Sequence, residues 1–227
     1  MGFQNKIGDI TIHRIIEDQS GMMPIRDFLP SLSQETLEEN RSWLVEGGFL
    51  DPSNDHIMLC IQSYVIKTPH HTILVDSCLG NHKNRPHRPR WDNKTDDRYM
   101  SAFAQSGIAL EEIDFVMCTH LHPDHVGWNT KLENGVWVPT FPNARYLFSK
   151  KEHDFWEEKS RNEQVDHIID SVLPIVAMGR ADFVTSADVI NDHMRLMPSP
   201  GHTIDHFSVA LGAKQDDAVQ HKVGVSA

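Results

Sequence analysis

The sequence predicts a single α/β domain that spans residues 1–227. Apolar, β-branched and aromatic runs that are typical of strands alternate with segments that carry helix start and stop signals. This alternation continues along the whole chain, and no linker-like stretch divides it. A chain of 227 residues is also long enough to bury a substantial core.

The strands are predicted from apolar runs bounded by turn residues. They fall at 7–17, 57–68, 71–77, 113–119, 135–141, 144–149, 194–203 and 206–212. The 194–203 run passes into a Pro-Gly turn, so its second half is expected to leave the strand. The segment 80–95 is rich in Pro, Arg and Asn, which predicts a loop.

Helices are predicted where apolar residues recur on one face behind a capping residue. The three predicted helices lie within 29–48, 95–107 and 150–160. Ser33 is a suitable N-cap for the first, with Leu37 and Leu44 on one face. Thr95 is the expected N-cap of the second, which Gly107 ends.

Composition and charge exclude several classes of partner. The formal net charge is −11, which argues against nucleic acid or an anionic membrane surface as the main partner. The basic stretch at 82–90 is interpreted as a solvated loop, with a local basic patch as the alternative. The chain has no run of 18 apolar residues and no signal-peptide pattern, so a cytoplasmic protein is expected. Free thiols are expected at Cys60, Cys78 and Cys118.

The segment THLHPDHVGWNT, at 119–130, concentrates four potential metal ligands directly after a predicted strand. Residues i and i+2 of an extended segment project to the same side, so His120 and His122 are expected to converge. Pro123 turns the chain and brings Asp124 and His125 towards a neighbouring point. Two imidazoles on one side suit a borderline divalent ion such as Zn²⁺. The spacing therefore predicts a metal site.

Three segments resemble the metallo-β-lactamase-fold hydrolases. THLHPDHVGWN matches the H-x-H-x-D-H signature of that superfamily, and SPGHT at 199–203 is similar to its next ligand segment. ILVDSCLG at 73–80 resembles its early strand, which ends in an Asp. FPNARYLFSKKEHDFW, at 141–156, is similar to the branch of N-acyl-homoserine lactonases and organophosphate hydrolases.

The resemblance implies an αβ/βα sandwich of the metallo-β-lactamase type with two metal ions at one edge of its sheets. It places the first ion on His120, His122 and His202, and the second on Asp124 and His125. A metal-activated hydroxide would then hydrolyse a lactone or ester bond of a small-molecule substrate, with Asp124 accepting or relaying a proton.

Two further residues are candidates for orienting these ligands. Metal-binding imidazoles commonly donate their other N–H to a fixed acceptor, and Asp76 is the first choice for that role. The alternative is an ordinary carboxylate at a strand end. His206 is expected to orient a ligand or to pack beside it rather than to bind the metal. For Trp128 and Trp137, core packing is favoured over lining a substrate pocket.

The end of the sequence departs from the family pattern, which includes a bridging Asp and a late His after the GHT segment. Asp216 and Asp217 are interpreted as loop residues, and His221 does not match the position of the late His. We therefore expect a complete first metal site, a labile or empty second site, and a chain that is C-terminally truncated relative to the family.

Two functional hypotheses follow from these features. The first is a zinc-dependent, lactonase-like hydrolase. The second is a catalytically inactive metal-binding protein that retains the fold. Nucleic-acid processing is disfavoured by the acidic charge balance. The oligomeric state is left open, a homodimer through the N-terminal helical region or an exposed sheet edge being one alternative.

Overall fold

A computed structural model describes residues 4–212 of the chain. It contains thirteen strands in these residues, which in chain order are Gln4–Ile7 (β1), Ile10–Pro24 (β2), Leu50–Asp51 (β3), His56–Lys67 (β4), Thr72–Val75 (β5), Phe115–Met117 (β6), Thr130–Glu133 (β7), Val136–Pro139 (β8), Arg145–Ser149 (β9), Ala181–Val184 (β10), Val189–Asn191 (β11), Met194–Pro198 (β12) and Phe207–Leu211 (β13). The α-helices are Ile25–Phe28 (α1), Gln34–Glu46 (α2), Arg98–Gln105 (α3), Pro123–Val126 (α4), Lys150–Asn162 (α5), Asp166–Ser171 (α6) and Leu173–Ala177 (α7).

Eight strands form one mixed sheet in the order β1-β2-β4-β5-β6-β9-β10, with β3 paired to β4 at the side. In the run β1, β2, β4 and β5, each strand is antiparallel to its neighbour. In the run β5, β6, β9 and β10, each strand is parallel to its neighbour. β11, β12 and β13 form a smaller antiparallel sheet, and β7 and β8 form a hairpin. The parallel part forms one side of the large sheet and ends at the edge strand β10, and the predicted metal motif follows its strand β6.

Two apolar cores lie on opposite faces of the large sheet. One core packs the sheet against α3, α6 and α7, and includes the buried rings of Tyr99, Phe103 and Phe148. The other lies between the large and the small sheet and includes Met117 and Phe207. Within residues 4–212 the arrangement is therefore a helical layer, a large sheet and a small sheet, which agrees with the predicted α/β class.

Most of the predicted elements are confirmed with different ends, whereas α6, α7, β10 and β11 were not predicted. Ser33 caps α2 by accepting a hydrogen bond from the backbone N–H of Thr36 at 3.0 Å. The prediction that Thr95 caps the next helix was wrong, because α3 begins at Arg98 with Asp97 in the N-cap position. Gly107 does follow this helix with a φ of +74°, a conformation that glycine adopts at no steric cost.

The interpretation of 82–90 as a solvated loop was wrong for its two key basic residues. Lys83 and Arg85 are buried, and Arg85 makes a bidentate ion pair with Asp170 of α6, at 2.7 and 3.0 Å. The Lys83 ammonium donates to the Thr130 hydroxyl at 2.6 Å and lies 3.7 Å from the centre of the Trp137 ring. Burial lowers the pKa of Lys83 to about 7, although the negative charge of Asp170 acts to raise it. The loop is thus anchored to α6 by buried charges.

We expect Asp170→Ala to lower the free energy of unfolding by about 3 kcal/mol, because it leaves the Arg85 guanidinium buried without its partner. The same change at Asp166, which is only half-buried on the same helix and bonds the exposed Asn84 amide, should cost less than about 1 kcal/mol. Urea unfolding of both variants measures the difference. Equal losses would contradict the anchoring role of the buried ion pair.

No helix within residues 4–212 has the length and apolarity needed to cross a membrane. Cys78 and Cys118 are buried free thiols, and Cys60 is a half-buried one. Asp216, Asp217 and His221, which bear on the second metal site, lie outside the described residues.

Candidate metal centre

The metal motif lies where β6 leaves the large sheet and α4 begins. His122 has extended backbone angles, with φ −72° and ψ 158°, and Pro123 is the first residue of the helix. Proline suits this position, because its fixed φ is helical and it has no N–H to leave unbonded. The chain therefore stays extended through His122, and the side chains of His120 and His122 reach the same space, as their spacing predicts.

The third imidazole comes from the turn between β12 and β13. This turn is closed by a hydrogen bond from the Ser199 N–H to the His206 carbonyl at 2.8 Å. The Phe207 N–H donates to the Thr119 carbonyl at 3.2 Å, which joins the start of β13 to the metal motif. The backbone thus holds His202 beside the motif, although the two segments are about 80 residues apart in sequence.

His120, His122 and His202 form one cluster, in which each residue offers a ring nitrogen within 4.8 Å of the others. The rings of His120 and His122 lie 4.8 Å apart, and each is edge-on to the ring of His202 at 4.8 and 4.7 Å. His122 Nδ1 is 3.0 Å from His202 Nε2. His120 is buried, His122 is half-buried and His202 is exposed, so the cluster opens towards solvent on the His202 side.

The chemistry of this cluster fits a divalent metal ion. His120 Nδ1 pairs with the Thr119 hydroxyl at 3.1 Å, whereas its Nε2 is buried and has no hydrogen-bond partner. An unpaired buried polar atom is costly unless a further group satisfies it. Burial and the neighbouring histidines hold the pKa of His120 well below its usual range, which keeps the neutral imidazole that can bind a metal. Three neutral imidazoles are a common catalytic donor set for Zn²⁺.

Asp124 and His125 form a second pair beside the three histidines. His125 Nε2 lies 3.6 Å from Asp124 Oδ2, and the His125 ring lies 4.0 Å from the His120 ring. Burial lowers the pKa of His125, but the charge and hydrogen bond of Asp76 and the charge of Asp124 outweigh it and raise the pKa to about 9. The pair lies next to the three-histidine cluster, and the family resemblance predicts a second ion on these two residues.

Asp76, which follows β5, is hydrogen-bonded to two residues of the motif, Thr119 and His125. Its carboxylate accepts the backbone N–H of Thr119 at 2.8 Å, the Thr119 hydroxyl at 3.0 Å and His125 Nδ1 at 2.9 Å. With Nδ1 held by Asp76, His125 Nε2 is directed towards Asp124. This is the contact expected of a residue that orients a metal ligand.

His206 lies behind the three-histidine cluster and is buried. Its ring is 5.0 Å from that of His120, and its Nδ1 is 2.8 Å from the Ser199 hydroxyl. His206 is not among the residues whose ligand atoms form the cluster. Its position therefore matches packing beside a ligand.

Two aromatic residues near the site were not singled out as site residues by the sequence. The Trp156 ring lies edge-on to His122 at 5.7 Å and to His167 at 5.1 Å. Burial and the charge of Arg85 lower the pKa of His167 to about 4, and its Nε2 is buried without a partner. His167 has no metal-ligand spacing in the sequence, and the packing of α5 against α6 brings it beside Trp156. Trp128 is a core residue, stacked on Tyr99 at 5.2 Å.

Comparison with known proteins identifies the family. The family model of the Metallo-beta-lactamase superfamily matches residues 61–216, which is more than half of the chain. The chain belongs to the metallo-beta-lactamase superfamily. The matched region contains every residue of the three-histidine cluster as well as Asp76, Asp124 and His125. Members of this superfamily are hydrolases that typically bind metal ions, which confirms the predicted family and class of enzyme.

Several solved structures have a fold similar to that of this chain. The hydrolase AbOPH of the beta-lactamase superfamily superposes with a TM-score of 0.72 at 25% identity, over 94% of this chain and 70% of its own. AidC, a dizinc quorum-quenching lactonase, gives 0.70 at 18% identity, over 94% and 71%. A probable metal-dependent hydrolase from Staphylococcus aureus gives 0.70 at 19% identity, over 92% and 71%. No curated protein matches the sequence.

Proposed function

We propose that the chain is a zinc-dependent hydrolase that cleaves lactone or ester bonds of small molecules. The observation that carries this proposal is the convergence of His120, His122 and His202, with the buried Nε2 of His120 left without a partner. A zinc ion bound by three imidazoles lowers the pKa of a water molecule and polarises the electrophilic oxygen of a substrate.

The residues around the cluster have distinct roles in this proposal. His120, His122 and His202 would hold the first ion, and Asp124 and His125 would contribute to a second, which requires that His125 release its Nε2 proton on binding. Asp124 accepts a proton at its carboxylate during hydrolysis, because its side chain is partly exposed beside His125. Asp76 fixes His125 and Thr119 through three hydrogen bonds, so the motif keeps its shape when substrate enters.

The substrate class is supported by the form of the site and by two structural relatives. The cluster is open at His202, and the aromatic ring of Trp156 lies next to His122, which suits a small substrate with an apolar part. AidC is a quorum-quenching lactonase seen with an N-acyl-homoserine product, and AbOPH is a hydrolase. Lactones and carboxylic esters react through the same attack on a carbonyl carbon, so we propose both.

A second candidate function is metal binding without hydrolysis. Among residues 4–212, the close ligand cluster contains only the three histidines, whereas Asp124 and His125 lie beside it as a pair. Two protein ligands make a weak site, so the second ion is expected to be labile. If hydrolysis requires both ions, such a chain would bind one ion and show no hydrolysis above the metal-free background.

Metal content and a substrate panel together test these two candidates. We expect chelator-stripped protein to take up at least one zinc ion per chain, measured by atomic emission after gel filtration. We expect lactone and ester hydrolysis that a chelator removes and added zinc restores. One bound ion with no hydrolysis above the metal-free background would favour the binding protein. Protein that takes up no divalent ion would contradict both.

A further inference from the structure

We propose that Glu152 is a positioning residue of the metal centre, which holds the turn that carries His202 and the Trp156 ring in place. This inference rests on the proposed function, since it concerns how the third imidazole is fixed. Glu152 lies in the first turn of α5 and is fully buried. It is not within the three-histidine cluster, and its carboxylate acts through two other residues.

The sequence around Glu152 is that of a capping box, in which the Glu side chain would return to the backbone of the N-cap residue. Ser149 is the N-cap, and its hydroxyl accepts the backbone N–H of Glu152 at 3.3 Å, which is half of the box. The other half is replaced. Glu152 Oε1 instead accepts the backbone N–H of Asp205 at 2.9 Å, and Asp205 lies three residues after His202.

The Asp205 carboxylate accepts a hydrogen bond from the N-cap residue of α5, which closes a ring of hydrogen bonds. The Ser149 hydroxyl donates to Asp205 Oδ2 at 2.5 Å, and the Ser186 hydroxyl donates to Oδ1 at 2.9 Å. Ser149, Glu152 and Asp205 are all buried, so the ring is shielded from water. Three hydrogen bonds among these three residues therefore bind the junction of β9 and α5 to the turn between β12 and β13.

The second oxygen of Glu152 reaches the aromatic side of the site. Glu152 Oε2 accepts the indole N–H of Trp156 at 3.1 Å, and the Trp156 ring contacts His122 edge-on at 5.7 Å. One carboxylate thus orients both the turn with His202 and the ring beside His122. His202 and His122, the two imidazoles supported in this way, are two of the three in the cluster.

Glutamate is required because both groups that face its carboxylate are N–H donors. Within residues 4–212 no Lys or Arg makes an ion pair with Glu152, so its charge is not explained by a surface ion pair. A glutamine offers one acceptor and one NH₂ group, and would leave one of the two donors unpaired. A buried donor without an acceptor disrupts the local structure, because its desolvation is then uncompensated.

The test compares Glu152→Gln with Glu158→Gln, which makes the same change at an exposed position of the same helix. Hydrogen exchange of the peptide over 199–206 is measured in the metal-free full chain, and zinc affinity is measured by competition with a chromogenic chelator. We expect Glu152→Gln to lose the exchange protection of the Asp205 amide and to weaken zinc binding by about 10- to 100-fold. Glu158→Gln should match the wild type in both.

Protection of the Asp205 amide that is equal in Glu152→Gln and wild type overturns the inference. So does lost protection with unchanged zinc affinity, because the ring would then be structural only. Wild-type protein that binds no zinc contradicts the proposed function and the positioning role together, whereas zinc binding that Glu152→Gln leaves intact contradicts the positioning role alone. If Glu152→Gln does not fold, Ser149→Ala, which removes the hydroxyl between Glu152 and Asp205, should give the same pattern with a smaller loss.

Discussion

His120→Ala is expected to reduce zinc affinity by at least about 100-fold, more than the loss typical of residues that only support a ligand. His120 is the buried member of the cluster, and its unpaired Nε2 is the atom best placed to be satisfied by an ion. Alanine leaves two imidazoles, of which His202 is exposed. Two ligands from a three-histidine set do not complete a tetrahedral site.

Thermal unfolding with and without zinc measures this loss. Zinc at a free concentration of 100 times the wild-type Kd stabilises the folded wild type by about 2.7 kcal/mol, whereas a variant that binds at least 100-fold more weakly gains at most about 0.4 kcal/mol at that concentration. His87→Ala is the matched control, since His87 is exposed on the 80–95 loop and the same atoms are removed. A His120→Ala protein that zinc stabilises as much as the wild type would refute the assignment of the first site.

The sequence could predict the metal motif because all its information is local. The alternation of His120 and His122 depends only on an extended backbone, and Pro123 fixes where that backbone turns into a helix. Asp76 was predicted from the family resemblance of 73–80 and not from a local pattern; in the structure it directly follows β5, which runs parallel to β6, the strand before the motif. The carboxyl ends of neighbouring parallel strands meet at one edge of a sheet, so their next residues come together.

Contacts between distant segments could not be predicted from local patterns. The composition of 82–90 favours an exposed loop, but the partner that buries Arg85 is Asp170, 85 residues further along the chain. Likewise, the S-x-x-E pattern at Ser149 predicts a local capping box, whereas the carboxylate of Glu152 bonds a turn 53 residues away. In both places the neighbouring sequence predicts one environment for a charged side chain, whereas in the folded chain its partner comes from a distant segment.

Gly127 shows the same limit at a single residue of the motif. Its φ of −57° and ψ of −49° are helical, so the backbone conformation by itself would suit alanine. What requires glycine is the chain that passes beside it. A Cβ at this position would lie 1.9 Å from the Leu79 carbonyl oxygen, which is backbone and cannot rotate away.

Gly127→Ala is therefore expected to destabilise the fold by about 4 kcal/mol or more, an exceptional loss for one methyl group. Relief of the clash must separate 77–79 from 125–128, which are joined by backbone hydrogen bonds from Ser77 to His125, from Gly127 to Cys78 and from Trp128 to Ser77, at 2.7 to 2.8 Å. The separation also moves His125 away from Asp76, so zinc affinity should fall with stability.

Denaturant unfolding of Gly127→Ala beside Gly21→Ala tests this steric argument. Gly21 is the matched control because a Cβ there would lie 3.1 Å from the Cβ of His56, so the neighbouring strand has to give by only a few tenths of an ångström, and the φ of Gly21 is not in the left-handed region. Replacing glycine by alanine also restricts the unfolded chain, which favours folding by about 0.4–1 kcal/mol at compatible sites. Both variants share that gain, so their difference isolates the clash with Leu79. Equal stability of the two variants would show that the 77–79 segment can move aside, and that the motif does not depend on its contact with Gly127.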